Sequence, residues 1–321
     1  MPKEKDFASE MRLDPISKDW VVVAQKRAKR PESSKKSGCP FCSFNALVAV
    51  PNKFPAFSGK PKGQTSKKLG VQSGEVCPLG LPFFAKKPAV GAHEVIVFKD
   101  HNLTIADLSI VEIKKIIDIY QQRYLALAEP KEINYVFIFH NQGKMAGASI
   151  AHPHSQIIAA PTADFSFLAP LKKAKEFYEQ NKKCVYCSEI KAEIKAKKRV
   201  VSENNSFIAF CPFASKISFE INIFPKKHQP YFEKITAKEK QDLAQILKIV
   251  LSQLKKSLDD PDYNFYIKTA PCDENSHPYF HWHLVIMPRI SVWAGFELGS
   301  GMEIVFTASE QAAEILRKTK I

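Results

Sequence analysis

At 321 residues, with 45% hydrophobic and 25% charged residues, the chain is long enough for about two domains and has the composition of a folded globular protein, not a disordered one. Its opening residues, MPKEKDFASEMRLD, lack the apolar core of a signal peptide, and no apolar run approaches the ~18 residues of a membrane span, so a cytoplasmic protein with no membrane partner is expected. The formal charge of +14 admits nucleic acid as a partner, but the lysines are scattered without a nucleic-acid-binding motif, and a phosphate-bearing small molecule suits the same field.

The densest basic stretch, residues 191–199 (KAEIKAKKR), reads as a solvated helix or loop face. Seven cysteines, an odd number with no secretion signal, argue against a disulfide framework, and four of them form two C-x-x-C pairs.

In chain order, Cys39-Pro-Phe-Cys42 comes first, then a stretch rich in lysine, glycine and serine over residues 58–80 that reads as a mobile loop. An apolar strand over residues 94–98 (EVIVF) ends near His101. A long helix is predicted next, opened by a Ser109/Glu112 capping box and carrying Leu108, Val111, Ile116, Tyr120, Tyr124 and Leu127 at helical spacing. A strand over residues 135–139 (YVFIF) and a glycine-containing turn lead to His152-Pro-His154-Ser-Gln156.

The second half repeats the order. Cys184-Val-Tyr-Cys187 precedes a strand over residues 219–224 and then His228. A helix opens with Thr236 and Glu239 and buries Leu243, Ile246, Leu247, Val250, Leu251 and Leu254. A strand over residues 264–268 and His281-Trp-His283 follow. The histidine separations agree, 152 − 101 = 51 against 281 − 228 = 53. Each half therefore predicts a sheet with one long helix on it, residues 1–170 and 171–321, related by an approximate twofold. A last helix is predicted after Thr307, capped with Glu310.

A C-x-x-C turn presents two thiolates, and two distant histidines complete a tetrahedral site of the structural zinc kind. The sets are Cys39, Cys42, His101 and His152, and Cys184, Cys187, His228 and His281; the second could hold zinc or another metal such as iron. A redox dithiol is the alternative for each pair, but it leaves the repeated histidines unexplained. Cys77, Cys211 and Cys272 read as core or loop residues.

On an extended strand His152, His154 and Gln156 would share a face. With His152 taken by metal, His154 is free to attack phosphorus through one ring nitrogen while the other donates to a fixed acceptor. Gln156 can donate amide hydrogens to a phosphoryl oxygen. The plainer reading, two histidines serving as metal ligand or core, stays open on spacing alone.

His152-Pro-His-Ser-Gln156 resembles the His-x-His-x-Gln motif of the nucleotidyltransferase branch of the histidine triad superfamily. The chain around it resembles the galactose-1-phosphate uridylyltransferases in residues 12–31 (RLDPISKDWVVVAQKRAKRP), CPFC, VPNKFPA, HEVIVF, GASIAHPHSQ, FHWHLVIMPR and AGFELGSG. The resemblance implies an α+β fold of two tandem histidine-triad-like domains with mainly antiparallel sheets, and a homodimer. It also implies ping-pong transfer of UMP from UDP-glucose to galactose 1-phosphate through a uridylyl-His154. Carried over by position, Gln156 holds the phosphoryl oxygens, Ser149 and Asn141 contact substrate phosphates, and Arg27 and Arg30 add phosphate-binding charge. Asn52 and Phe54 line the nucleotide pocket, and Glu297 binds hexose hydroxyls next to Phe296. Phe296 stands where some of these enzymes carry a tyrosine, and residues 303–307 (EIVFT) depart from the family's Tyr-x-Asn-Pro.

Related enzymes that use ADP-glucose with phosphate, or dinucleoside polyphosphates, share the same core. A zinc-stabilised nucleic-acid-binding protein would explain charge and C-x-x-C pairs but gives His154 and Gln156 no role. His283 corresponds in position to His154 but lacks the Ser-Gln continuation, and reads as an extra ligand or structural residue. His93 and His277 read as structural or surface residues, and His140 as a neighbour of the pocket.

Overall fold

The computed structural model describes residues 9–17, 19–30, 38–59, 84–162 and 165–321, so Cys77 and most of the loop expected over 58–80 lie outside it. The elements are β1 (Glu10–Leu13), β2 (Trp20–Val23), β3 (Val48–Pro51), β4 (Lys86–Pro88), β5 (Ala92–Val97), α1 (Ile110–Ala128), β6 (Tyr135–Gln142), β7 (His154–Ala160), α2 (Phe165–Asn181) and α3 (Val185–Ala196). They continue with β8 (Val200–Glu203), β9 (Phe207–Phe210), β10 (Ile221–Pro225), α4 (Ala237–Ser257), β11 (Tyr263–Lys268), β12 (His283–Pro288), α5 (Gly295–Ser300) and α6 (Ser309–Lys318).

The fold is α+β, with one antiparallel nine-stranded sheet in the order β3-β5-β7-β6-β11-β12-β10-β9-β8. The order reads the same outward from the β6–β11 seam in both directions, with β8 left over. The seam is a true strand pairing, Phe139 opposite Tyr266 and Ile138 opposite Ile267, so the repeated halves share one sheet. Strand alternation then sorts the residues: Ile96, Ile138, Ile157, Ile223, Ile267 and Leu284 turn to the face covered by α1 and α4 in one continuous core. Burying each such side chain contributes roughly 1.5–3 kcal/mol, and because the core runs through both halves neither keeps its apolar face covered alone. Gln121 of α1 fastens the halves further, its amide donating to the carbonyls of Glu233 and Ile235 at 2.7 and 2.9 Å.

The opposite face carries His154, Gln156, Phe139 and Asn141 from the first half. A three-stranded sheet, β2-β1-β4, packs there against Ala160 and Ile158 through Met11 and Trp20. In the second half α2 and α3 cover this face through Phe167, Leu171, Tyr186 and Ile190.

Two of the three expected capping boxes are present, at Ser109/Glu112 and Thr236/Glu239, and all six apolar positions expected inside α4 are buried. Three expectations shift. In α1 the buried stripe is Ile113, Ile116, Ile117, Tyr120 and Tyr124, while Val111 is 60% exposed and Leu108 precedes the helix. The α6 N-cap is Ala308 with no side-chain cap, because the 306–307 backbone amides donate to Ser218 Oγ and Glu310 instead receives Arg199. Arg199, at the end of the basic 191–199 stretch, also pairs with the buried Glu193 at 2.7 Å, so this end is an anchoring contact and not a solvated face.

Candidate active site and metal clusters

The Cys39/Cys42 turn lies against His101 and His152, and the Cys184/Cys187 turn against His228 and His281. Within each set all four ligand atoms fall within 4.8 Å of one another, so both clusters could hold a metal ion. In the first, Cys42 Sγ is 3.2 Å from His101 Nδ1 and 3.5 Å from His152 Nδ1. In the second, Cys187 Sγ is 3.3 Å from His228 Nδ1 and 3.4 Å from His281 Nδ1. His152 Nε2 donates to Phe98 O at 2.7 Å and His281 Nε2 to Pro225 O at 2.9 Å. A carbonyl only accepts, so each ring is held with its Nδ1 lone pair facing the thiols.

His152 precedes β7, which begins at His154. The three-residue alignment expected on a strand therefore holds for His154 and Gln156, while His152 turns to its cluster. The same C-x-x-C turn carries Phe41 edge-on to His154, ring centroids 5.2 Å apart.

His154 opens into a cavity of about 560 Å³ lined by Arg27, Arg30, Asn52, Phe54, Asn141, Ser149 and Gln156, seven of the residues singled out in the sequence. Lys29 and Lys53 add positive charge, and no Asp or Glu stands among the described lining residues. Burial, then the neighbouring Arg30 charge, pulls the Arg27 guanidinium below its usual range; the cavity is short of an anion. Arg27 is held by donating to Phe54 O at 2.8 Å. Asn264, across the seam, donates to Asn141 Oδ1 at 2.9 Å, which leaves the Asn141 amide hydrogens for the cavity.

His154 Nδ1 lies 2.8 Å from His152 O, so Nδ1 carries the proton and Nε2 the lone pair. Burial lowers its pKa, favouring the neutral ring. Behind the strand, Ser155 Oγ is 2.5 Å from Tyr120 Oη and 3.0 Å from His140 Nδ1, and His140 is stacked between Phe98 and Phe265. His140 is thus a buried prop on the other face of β7 and does not line the cavity.

His93 is the residue whose part was not legible in the sequence. On β5 it faces the β7 partner strand, with Val95 opposite Gln156, and its Nε2 lies 3.0 Å from Gln156 Oε1. Its alternation with Val95 is visible in HEVIVF, but the β5–β7 pairing that brings it to Gln156 is not. His277 is buried and bound to Asp273 and Tyr279, a structural residue as expected.

Phe296 and Glu297 are not brought to this cavity. Phe296 is 53% exposed on α5, and Glu297 accepts from the Ala294 amide at 3.0 Å. They follow β12 at the opposite half, where chain connectivity holds them on the surface.

A buried, tautomer-fixed histidine beside an amide in a basic cavity, on a doubled α+β fold, defines the class: a nucleotidyltransferase. The chain belongs to the galactose-1-phosphate uridyl transferase family, whose N-terminal domain matches residues 41–163 and whose C-terminal domain matches residues 171–319. It is 33% identical to the ADP-glucose phosphorylase of Arabidopsis thaliana over 97% of this chain and 93% of that one. It is 29% identical to the galactose-1-phosphate uridylyltransferase of Thermotoga maritima over 97% and 99% respectively. The solved structure of an ADP-glucose phosphorylase from Arabidopsis thaliana with bound ADP-glucose superposes with a TM-score of 0.76 at 31% identity, covering 98% of this chain and all of the other.

Proposed function

We propose that this protein transfers UMP from UDP-glucose to galactose 1-phosphate through a covalent nucleotidyl-His154. The observation that carries the reading is the His154 Nδ1–His152 O bond at 2.8 Å, which leaves Nε2 as a lone pair in a basic cavity with no carboxylate among its described lining residues. Nε2 attacks the α-phosphorus, the bond from phosphorus to the bridging oxygen breaks, and glucose 1-phosphate leaves with that electron pair. A phosphate oxygen of galactose 1-phosphate then attacks the same phosphorus and frees His154. Gln156 donates to the phosphoryl oxygens as charge builds, Arg27, Arg30, Asn141 and Ser149 hold phosphates, and Asn52 and Phe54 flank the nucleotide.

Glu297 and Phe296 enter as residues of a homodimer. Support comes from the exposed Phe296, Leu298, Met302, Ile304 and Phe306, an apolar run that a second copy would cover, and from the distance of both residues from their own cavity.

The donor sets fit zinc. A tetrahedron with Zn–S of about 2.3 Å and Zn–N of about 2.0–2.1 Å has S···N edges of about 3.6 Å, close to the 3.2–3.7 Å separations of the first cluster. Bound there, the ion would tie the Cys39/Cys42 turn to His101 and His152 and so fix the carbonyl that orients His154. No helix among the described residues is long and apolar enough to cross a membrane, and the four cluster thiols suit a reducing cytoplasm. The sequence repeat supports a domain boundary near residue 170.

A second reading, adenylyl transfer from ADP-glucose to phosphate, is favoured by the 33% identity to the Arabidopsis thaliana phosphorylase and by Phe296, which lacks a tyrosine hydroxyl for a sugar phosphate. Intact mass after brief exposure to UDP-glucose or ADP-glucose and alkaline quenching decides. A uridylyl adduct absent in His154→Ala and discharged by galactose 1-phosphate supports the first reading. An adenylyl adduct discharged by phosphate replaces it with the second, and no adduct from either removes the mechanism.

A further inference from the structure

The approximate twofold carries the His154 position onto His283, and a second cavity opens there. It is about 230 Å³ in volume and is lined by Phe167, Tyr186, Glu189, Asn222, Phe224, Lys268, Phe280 and His283. His283 repeats the His154 geometry, its Nδ1 3.0 Å from His281 O, so its Nε2 is also a lone pair and needs a donor. Its ring is stacked on Phe224 at 4.5 Å. Lys268 lies directly opposite His283 in the β11–β12 ladder. Among the described residues no side chain or carbonyl hydrogen-bonds or ion-pairs with its Nζ, which lies 5.8 Å from the centroid of the Tyr266 ring. Burial pulls its ammonium below the usual lysine range, with Glu220 only partly offsetting this. Asn222, opposite Val285 where the first half has Val95 opposite Gln156, has a buried Oδ1 without a partner among the described residues.

These groups ask for complementary chemistry. Lys268 needs an anion, His283 Nε2, Asn222 Oδ1 and Glu189 need hydroxyl donors, and the aromatic walls need the face of a small carbon skeleton. Glu189 also disfavours a ligand that is anionic throughout. Val285 in place of Gln156 removes the amide that would stabilise charge at a reacting phosphorus, so the cavity is suited to binding without transfer.

We propose that this cavity is a second ligand site, separate from the His154 cavity, for a small hydroxylated anion such as a phosphorylated or carboxylated polyol. Its size admits a ligand of monosaccharide scale and excludes a nucleotide sugar.

Calorimetric titration of the full chain tests it, with glycerol 3-phosphate and gluconate as the two anion types and glycerol as the neutral control. Binding of at least one anion is expected, about tenfold or more weaker in Lys268→Met and weakened in Asn222→Val, and unchanged in Gln156→Ala. Phosphate and carboxylate ligands are told apart by which probe binds. Lys268→Met should keep the wild-type transfer rate, since Lys268 does not line the His154 cavity. Absence of binding by both anions overturns the proposal, as does binding that Gln156→Ala abolishes and both Lys268→Met and Asn222→Val leave intact. Should Lys268→Met fail to fold, Lys268→Gln and Asn222→Val carry the same comparison.

Discussion

His93 Nε2 lies 3.0 Å from Gln156 Oε1, and the backbone amide of Ala56 lies 3.1 Å from His93 Nδ1. The amide can only donate, so Nδ1 is the acceptor and Nε2 carries the proton. That proton goes to the Gln156 carbonyl oxygen, which turns the Gln156 amide hydrogens toward the cavity. Asn52 Nδ2, 3.1 Å from the same Nε2, is then a close neighbour and no hydrogen bond, its own Oδ1 being engaged by the Phe54 amide. A histidine thus decides which end of Gln156 faces the cavity.

His93→Ala should lower the rate of His154 nucleotidylation by roughly tenfold or more, less than direct loss of a donor in Gln156→Ala, which costs on the order of a hundredfold. His93→Gln, which can still donate to Gln156 Oε1, should recover part of the loss. Single-turnover adduct formation measures this, and a His93→Ala enzyme with wild-type nucleotidylation would sink the positioning role.

Stripping metal from the Cys39/Cys42/His101/His152 cluster should reduce both stability and transfer rate, because the His152 carbonyl that accepts from His154 belongs to a residue of that cluster. Metal content, melting temperature and adduct formation followed together through dialysis against a chelator check it. Full activity at zero metal content contradicts it.

Arg27 has no acidic partner among the described residues and donates to Phe54 O, so Arg27→Met should weaken substrate binding more than it lowers the rate from the bound state. Loss of one charge-assisted contact is worth about 1.5–3 kcal/mol, or roughly ten- to a hundredfold in KM. A kcat fall with KM unchanged would assign Arg27 to the transition state instead.

Stability should fall on acidification below pH 6.5. Burial pushes His93 down to about 4 and His140 down to about 3, from an ordinary 6.5. Both bind a proton less readily folded than unfolded, so their contribution is complete above 6.5 and is lost as pH falls toward the folded values. Each adds up to about 1.4 kcal/mol per pH unit within that window. Urea midpoints from pH 7 to 5, compared with His93→Gln, should show a shallower slope in the variant; equal slopes would remove His93 from the titration.

Much of the site was legible in the chain because its chemistry is local. The C-x-x-C turns, the His154/Gln156 alternation and the two capping boxes each depend on residues a few positions apart, and the repeated spacing gave the doubled architecture. Tertiary structure decided what depends on distant partners. Whether α6 is capped by Thr307 or held through Ser218 is settled by a contact across about ninety positions of chain. That the halves share one sheet rests on the β6–β11 pairing, for which Phe139 and Tyr266 carry no sequence signal. His93 acquires its part only because β5 and β7 are neighbours, and Phe296 and Glu297 stand away from the cavity because α5 follows β12 on the far half. Local periodicity and motif spacing are written in adjacent residues; strand order, and with it the far side of every hydrogen bond, is a property of the folded chain.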